Sequence, residues 1–193
     1  MLKKLFLFIS LFIIFSFIHC SENNSPTEST PNYSSAVLQK GGNSALSFDG
    51  VDDYVLVPDN LSLDMTDGFT ITAWIYLNDY TEWASVVTKG GFFGDPNFGE
   101  NNYTIHQSGP GWNGGESGHL RFTGVAYFPN GLPESNTKIP LHEWHYIAVT
   151  FDGSMVKFYL DGKSDGEGVV VGPLNPNDQP LNIGVDFPGG DEY

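Results

Sequence analysis

From Phe69 to Leu77 the chain alternates without a break: Phe69, Ile71, Ala73, Ile75 and Leu77 are apolar, with Thr70, Thr72, Trp74 and Tyr76 between them. A period of two puts each set on its own face of an extended strand, so the stretch predicts a half-buried β-strand and not a helix. Shorter runs of the same kind make strand candidates of 45–48, 54–57, 85–88, 103–106, 119–122, 144–151, 155–160 and 181–185. Asp49-Gly50, Asp152-Gly153 and Asp161-Gly162 stand between neighbouring runs, and Asp-Gly is a strong turn signal. No segment keeps a helical apolar stripe for three turns, and 23 Gly with 12 Pro suit many short strands. The expected fold is all-β: a two-layer antiparallel sandwich. Trp74 and Trp144, set in apolar runs, are expected in its core.

Before residue 43 the chain has a different character. Lys3 and Lys4 precede about fourteen mostly apolar residues from Leu5 to Ile18, too short for a comfortable membrane span and suited to a signal peptide. The sole cysteine, Cys20, follows directly, so no internal disulfide can form. A cysteine at this place resembles a bacterial lipoprotein signal, in which the thiol is lipidated. The preceding Phe17-Ile18-His19 departs from the usual lipobox, and ordinary secretory cleavage near Cys20 or Ser21 is the alternative. The expected organisation is a signal peptide over 1–20, a disordered polar tether over 21–42 and a sandwich domain over 43–193. That implies export to the cell envelope as a lipoprotein, or secretion, with membrane contact only through the anchor. A formal charge of −15 excludes nucleic acid as a partner, because phosphate binding needs clustered basic groups.

Three segments together resemble the laminin-G-like, concanavalin-A-type jelly-roll domains. They are Ala45-Leu46-Ser47-Phe48-Asp49-Gly50-Val51-Asp52-Asp53-Tyr54-Val55, then Phe69-Thr70-Ile71-Thr72-Ala73-Trp74-Ile75. The third runs Glu143-Trp144-His145-Tyr146-Ile147-Ala148-Val149-Thr150-Phe151-Asp152-Gly153 and on to Val156-Lys157-Phe158-Tyr159-Leu160-Asp161-Gly162. The resemblance spans about residues 43 to 193. It implies one further strand, closing the sheet beside the first hairpin, about where this sequence stops. The sequence-based expectation is therefore a truncated or split chain whose first hairpin exposes unpaired backbone.

No catalytic motif emerges. Glucan-cleaving enzymes of this fold carry Glu-x-Asp-x-Glu on one strand, and none of the nine glutamates has that spacing. There is no Gly-x-Ser-x-Gly and no His-Glu-x-x-His, and His142 and His145 are spaced to face opposite sides of a strand. The sequence reads as a non-enzyme. Asp49, Asp52 and Asp53 surround one tight turn and could supply oxygen ligands to calcium, a cation that the family resemblance also implies; plain turn chemistry is the alternative. Trp112, in a glycine-rich loop with Asn113 and Glu116 nearby, could stack on a sugar ring, and Phe93 offers a second aromatic loop. The function expected is a non-catalytic recognition module on the envelope, binding a glycan or an extracellular protein. An accessory or degenerate domain of a carbohydrate-active enzyme and a structural envelope lipoprotein are the alternatives.

Overall fold

The computed structural model describes residues 7–10, 32–34, 45–81, 83–90, 102–109, 117–124 and 126–185. Among them, β1 (Leu7–Ser10), β2 (Asn32–Ser34), β3 (Leu46–Phe48) and β4 (Tyr54–Val57) are followed by a 3-10 turn at Leu61–Leu63 and then by β5 (Phe69–Leu77). The chain continues through β6 (Ser85–Lys89), β7 (Tyr103–Gln107) and β8 (Leu120–Thr123) to β9 (Trp144–Phe151), β10 (Met155–Leu160), β11 (Lys163–Val169) and β12 (Leu181–Ile183). The first sheet has the order β11-β10-β9-β5-β1-β3 and the second β2-β4-β12-β6-β7-β8, with every pairing antiparallel. This is the all-β sandwich that the alternation predicts.

Residues facing inward from both sheets form the core. Val55, Ile183, Val87, Ile105 and Phe122 make one register row across the second sheet, all at most 6 % exposed. Ala73, Ile75, Ile147, Val149 and Phe158 of the first sheet are buried with them. Phe69, Phe122 and Phe151 cluster with ring centroids 5.6 to 6.3 Å apart. Tyr103 joins them at 5.2 Å from Phe69, and its buried hydroxyl donates to the Leu63 carbonyl, which removes the cost of an unpaired polar group.

Three expectations need correction, and one strand has no counterpart among the sequence candidates. Trp74 and Trp144 are not in the core: each is 41 % exposed on the outer face of the first sheet. Their apolar sequence neighbours point inward, and the period of two turns both indoles outward. Next, the first hairpin is not left unpaired. Leu7–Ser10 lies between β3 and β5 and pairs with both, so the apolar N-terminal run supplies the backbone partners. Within the segment expected to be a disordered tether, Asn32–Ser34 pairs with β4, whose free edge offers donors and acceptors whatever the side chains. Lastly, Lys163–Val169 is a strand although its sequence is polar with two glycines. It is an edge strand, held by β10 and by the 133–137 segment, where Asn136 N–H donates to the Asp165 carbonyl and Thr137 Oγ1 to Asp165 Oδ1.

One end of the sandwich is closed by a buried cation. Lys89 is fully buried, and its ammonium donates to Asp59 Oδ1 (2.7 Å), the Asn177 carbonyl (2.7 Å) and Oδ1 (2.9 Å), and the Gln179 carbonyl (2.6 Å). Asp64 lies 3.3 Å from the same nitrogen. Replacing Lys89 by Met keeps the stem volume but strands two carboxylates and two carbonyls, a loss of about 3–5 kcal/mol. Urea unfolding of Lys89→Met should show a midpoint drop of that size; an unchanged midpoint would refute the assignment.

Candidate functional site

Trp112, Asn113, Glu116, Phe93 and Cys20 lie outside the described residues. The strands bounding their segments still show where those segments attach. Lys89 pairs with Tyr103 at one end of the second sheet and Gln107 with Leu120 at the other. The β6–β7 connection carrying Phe93 and the β7–β8 connection carrying Trp112 therefore leave from opposite ends, as successive connections in an antiparallel meander must. The acidic turn before Tyr54 lies at the Trp112 end, because Val55 aligns through Ile183 with Val87 and Ile105 while Val57 aligns with Lys89. β4 and β7 are three strand spacings apart, about 14 Å.

In that turn Asp49, Asp52 and Asp53 each present a carboxylate oxygen within 4.8 Å of the others. Asp49 Oδ1 accepts from Val51 N–H (2.9 Å) and Asp52 N–H (3.5 Å), and Gly50 has φ 71°, which any side chain would strain. Asp53 is 8 % exposed and its Oδ2 accepts from Asp49 N–H at 3.2 Å. Burial raises the Asp53 pKa above the usual carboxylate range; the hydrogen bond from Asp49 opposes this, and the charges of Asp49 and Asp52 add to it. Hence the three oxygens form a hard, electronegative pocket whose mutual repulsion a divalent cation would relieve. Part of it is also ordinary turn capping.

A second group was not picked out from the sequence. Over β12, β6, β7 and β8 the outer face of the second sheet is polar yet buried. Asn182, Thr88, Thr104 and Thr123 form one register row across four strands, and Ser85, His106 and Arg121 form the next. Arg121 is held by Glu134 Oε2 through Nε (3.1 Å) and Nη2 (2.6 Å), and its guanidinium lies 5.5 Å from the Trp83 ring centroid. Trp83 in turn stacks on His106 at 5.1 Å, the two rings 25° apart. Among the described residues, Arg121 Nη1 and Thr123 Oγ1 are buried without a hydrogen-bond partner. Leaving such groups unsatisfied costs free energy, and a hydroxyl-bearing ligand or ordered water would recover it. Burial lowers the His106 pKa to about 4, helped by the Arg121 charge and opposed by the contact with the Gln107 carbonyl, so the ring is neutral at physiological pH.

The sequence contained one signal for this group. Arg121 is the single arginine of an acidic chain and sits inside a predicted strand. His142 is exposed at φ 65°, and buried His145 places Nδ1 2.8 Å from Asp161 Oδ2.

Comparison with known proteins gives a family-model match over residues 49–193, described as the concanavalin A-like lectin/glucanases superfamily. No curated protein matches the sequence. Among solved structures, domain 4 of AbnA, an extracellular arabinanase of Geobacillus stearothermophilus determined with arabinotriose, is similar with 19 % identity and a TM-score of 0.53. The alignment covers 83 % of this chain and 68 % of that one. A Bacteroides ovatus protein assigned to carbohydrate binding matches with 15 % identity and a TM-score of 0.54, over 80 % of this chain and 44 % of that one. At these identities the likeness is one of fold.

Because the folded His106 titrates near 4 and an unfolded histidine near 6.5, the unfolded chain binds the extra proton between those values. This contribution is therefore complete above pH 6.5 and is lost as pH falls, by about 2 kcal/mol at pH 5. The loss in unfolding free energy between pH 7.5 and pH 5 should shrink by that amount in His106→Phe; an identical slope in both proteins would count against a buried neutral imidazole.

Proposed function

Because the chain belongs to the concanavalin A-like lectin/glucanases superfamily, we propose that it is a non-catalytic carbohydrate-recognition module. The observation that carries this reading is the polar outer face of the second sheet, where Arg121 Nη1 and Thr123 Oγ1 are buried with no partner among the described residues and the Arg121 guanidinium lies over the Trp83 ring. Sugar hydroxyls both donate and accept, so one ring can satisfy a guanidinium nitrogen and a threonine oxygen while its apolar face meets an indole. Residues 121 and 123 are two apart on one strand, about 7 Å, a span suited to adjacent hydroxyl groups of one short oligosaccharide. The two carbohydrate-linked structural neighbours, one solved with arabinotriose, support the same class of ligand. One of them being a domain of an arabinanase favours, as a second reading, an accessory role beside a catalytic domain.

Asp49, Asp52 and Asp53 would hold calcium at the end of the sheet where the Trp112 segment attaches, ordering the turn without taking part in chemistry. Trp112, Asn113 and Glu116 from one end, and Phe93 from the other, would add contacts to the ligand. Export behind the 1–20 segment, with a lipid on Cys20, would display the module on the envelope.

Calorimetric titration with a panel of neutral trisaccharides that includes arabinotriose tests the reading. At least one should bind, and Thr123→Val and Trp83→Ala should each weaken it about tenfold or more. Thr123→Val should not lower the melting temperature, because it removes a buried oxygen that has no partner. Binding unaffected by both substitutions, or a clear loss of stability in Thr123→Val, would reject this site. Separately, millimolar calcium should raise the melting temperature of the wild type and not of Asp52→Asn; equal curves with calcium and with chelator would remove the metal.

A further inference from the structure

On the outer face of the first sheet, β5 and β9 carry four aromatic rings that the second-sheet site does not use, and Tyr159 of β10 lies beside them, opposite Ala148. Trp74 stands opposite Tyr146, and Tyr76 opposite Trp144, on the neighbouring strands β5 and β9. The first pair has ring centroids 5.4 Å apart at 50°, the second 5.6 Å at 62°, and each indole is 41 % exposed. Exposed large aromatics gathered on one rigid face are uncommon away from contact surfaces. In the β5–β9 pairing the outward positions are Thr70, Thr72, Trp74 and Tyr76 opposite Thr150, Ala148, Tyr146 and Trp144. None of the eight is charged, in a chain with 23 acidic residues.

We propose that this face is a second glycan-binding surface, taking an uncharged polysaccharide chain across Trp74 and Trp144. It rests on the carbohydrate reading above but shares no residue with that site. The two indoles are offset by two residues along the strands and by one strand spacing, so their Cα atoms are about 8 Å apart on the diagonal. Two separated rings on a flat sheet suit an extended chain of sugars whose C–H faces meet the electron-rich ring faces, with threonine and tyrosine hydroxyls within reach of the sugar hydroxyls. An uncharged patch on a chain of net charge −15 favours a neutral glycan over a polyuronate or a sulfated one. A second copy of the chain is a poorer fit. The exposed parts of the four rings amount to about 300 Å², where a stable protein interface needs about 800 Å² from each partner. Like net charges repel two copies as well.

Affinity electrophoresis of the full chain in gels containing arabinan, xylan, mixed-linkage glucan or galactomannan, with alginate as the anionic control, tests the proposal. At least one neutral polymer should retard the wild type and alginate should not. Trp74→Ala and Trp144→Ala should each weaken retardation about tenfold, the double variant should abolish it, and Trp74→Phe with Trp144→Phe should keep part of it. Trisaccharide affinity at the second sheet should stay unchanged in the double variant. Full retardation of the double variant overturns the proposal while leaving the second-sheet reading intact, and so does retardation by alginate alone. Absence of retardation by every neutral polymer overturns it too, with the trisaccharide titration reporting independently on the other site. Sedimentation showing a dimer that the double variant disperses would assign the face to self-association instead and overturn it. Should the double variant fail to fold, oxidation of exposed indoles by N-bromosuccinimide in the wild type is the readout. Protection of Trp74 and Trp144 by the retarding polymer supports the proposal, and their unaltered oxidation overturns it.

Discussion

A single buried ammonium organises one end of this sandwich. Lys89 ends β6, points to the core side, and gathers Asp59 and Asp64 from the link before β5 together with Asn177 and Gln179 from the link before β12. Each link crosses from one sheet to the other, β4 to β5 and β11 to β12, and β12 must insert between β4 and β6 for the second sheet to exist. Ordering such links costs conformational entropy, and an ammonium that satisfies carboxylates and carbonyls together offsets it while leaving few alternative arrangements. The strictness continues past β12: Gly184 has φ 84°, and a Cβ there would lie 2.6 Å from the Phe48 ring, so only glycine lets the strand leave over that side chain.

Built on that frame, the two sheets present different outer faces. The first follows the simple antiparallel rule, core on one side and solvent on the other, and its solvent side collects aromatic rings. The second breaks the rule, because β6, β7 and β8 are buried on both faces and the outer one is lined with hydroxyl, amide, imidazole and guanidinium groups. Burying polar groups is unfavourable unless each finds a partner, and among the described residues Arg121 Nη1 and Thr123 Oγ1 find none. A fold selected for stability alone would fill such a face with valine and leucine. The protein thus has two chemically distinct outer faces, one aromatic and partly exposed, the other enclosed and polar.

Much of the fold was legible because antiparallel strands write their burial into the chain with a period of two. Phe69–Leu77, Trp144–Phe151 and Met155–Leu160 could be read directly, turns included. Strands held by their neighbours' backbone were not legible: β2 and β11 have no apolar alternation, and their edges are fixed by β4, by β10 and by the Asp165 hydrogen bonds. Trp74 and Trp144 show how composition misleads, since apolar surroundings in sequence suggested a core that the alternation itself contradicts. Of the candidate site, the acidic turn was readable because its three aspartates are neighbours in sequence. Thr88, Thr104, Thr123 and Asn182 carry no such signal, because ordinary residues become a row only once four strands align.

Local sequence thus determined the strand class, the turns, the inward-facing residues and a compact carboxylate cluster, all of which depend on spacings of a few residues. Register between distant strands was decided only in three dimensions. That register places Trp83 on His106 and under Arg121, sets Glu134 against the same guanidinium, and brings Trp74 beside Tyr146. The physical reason is that backbone pairing and core packing select one alignment of the strands, and each surface row is a by-product of that choice. Side-chain identity supplied the chemistry, and the pairing of strands far apart in the chain supplied the site.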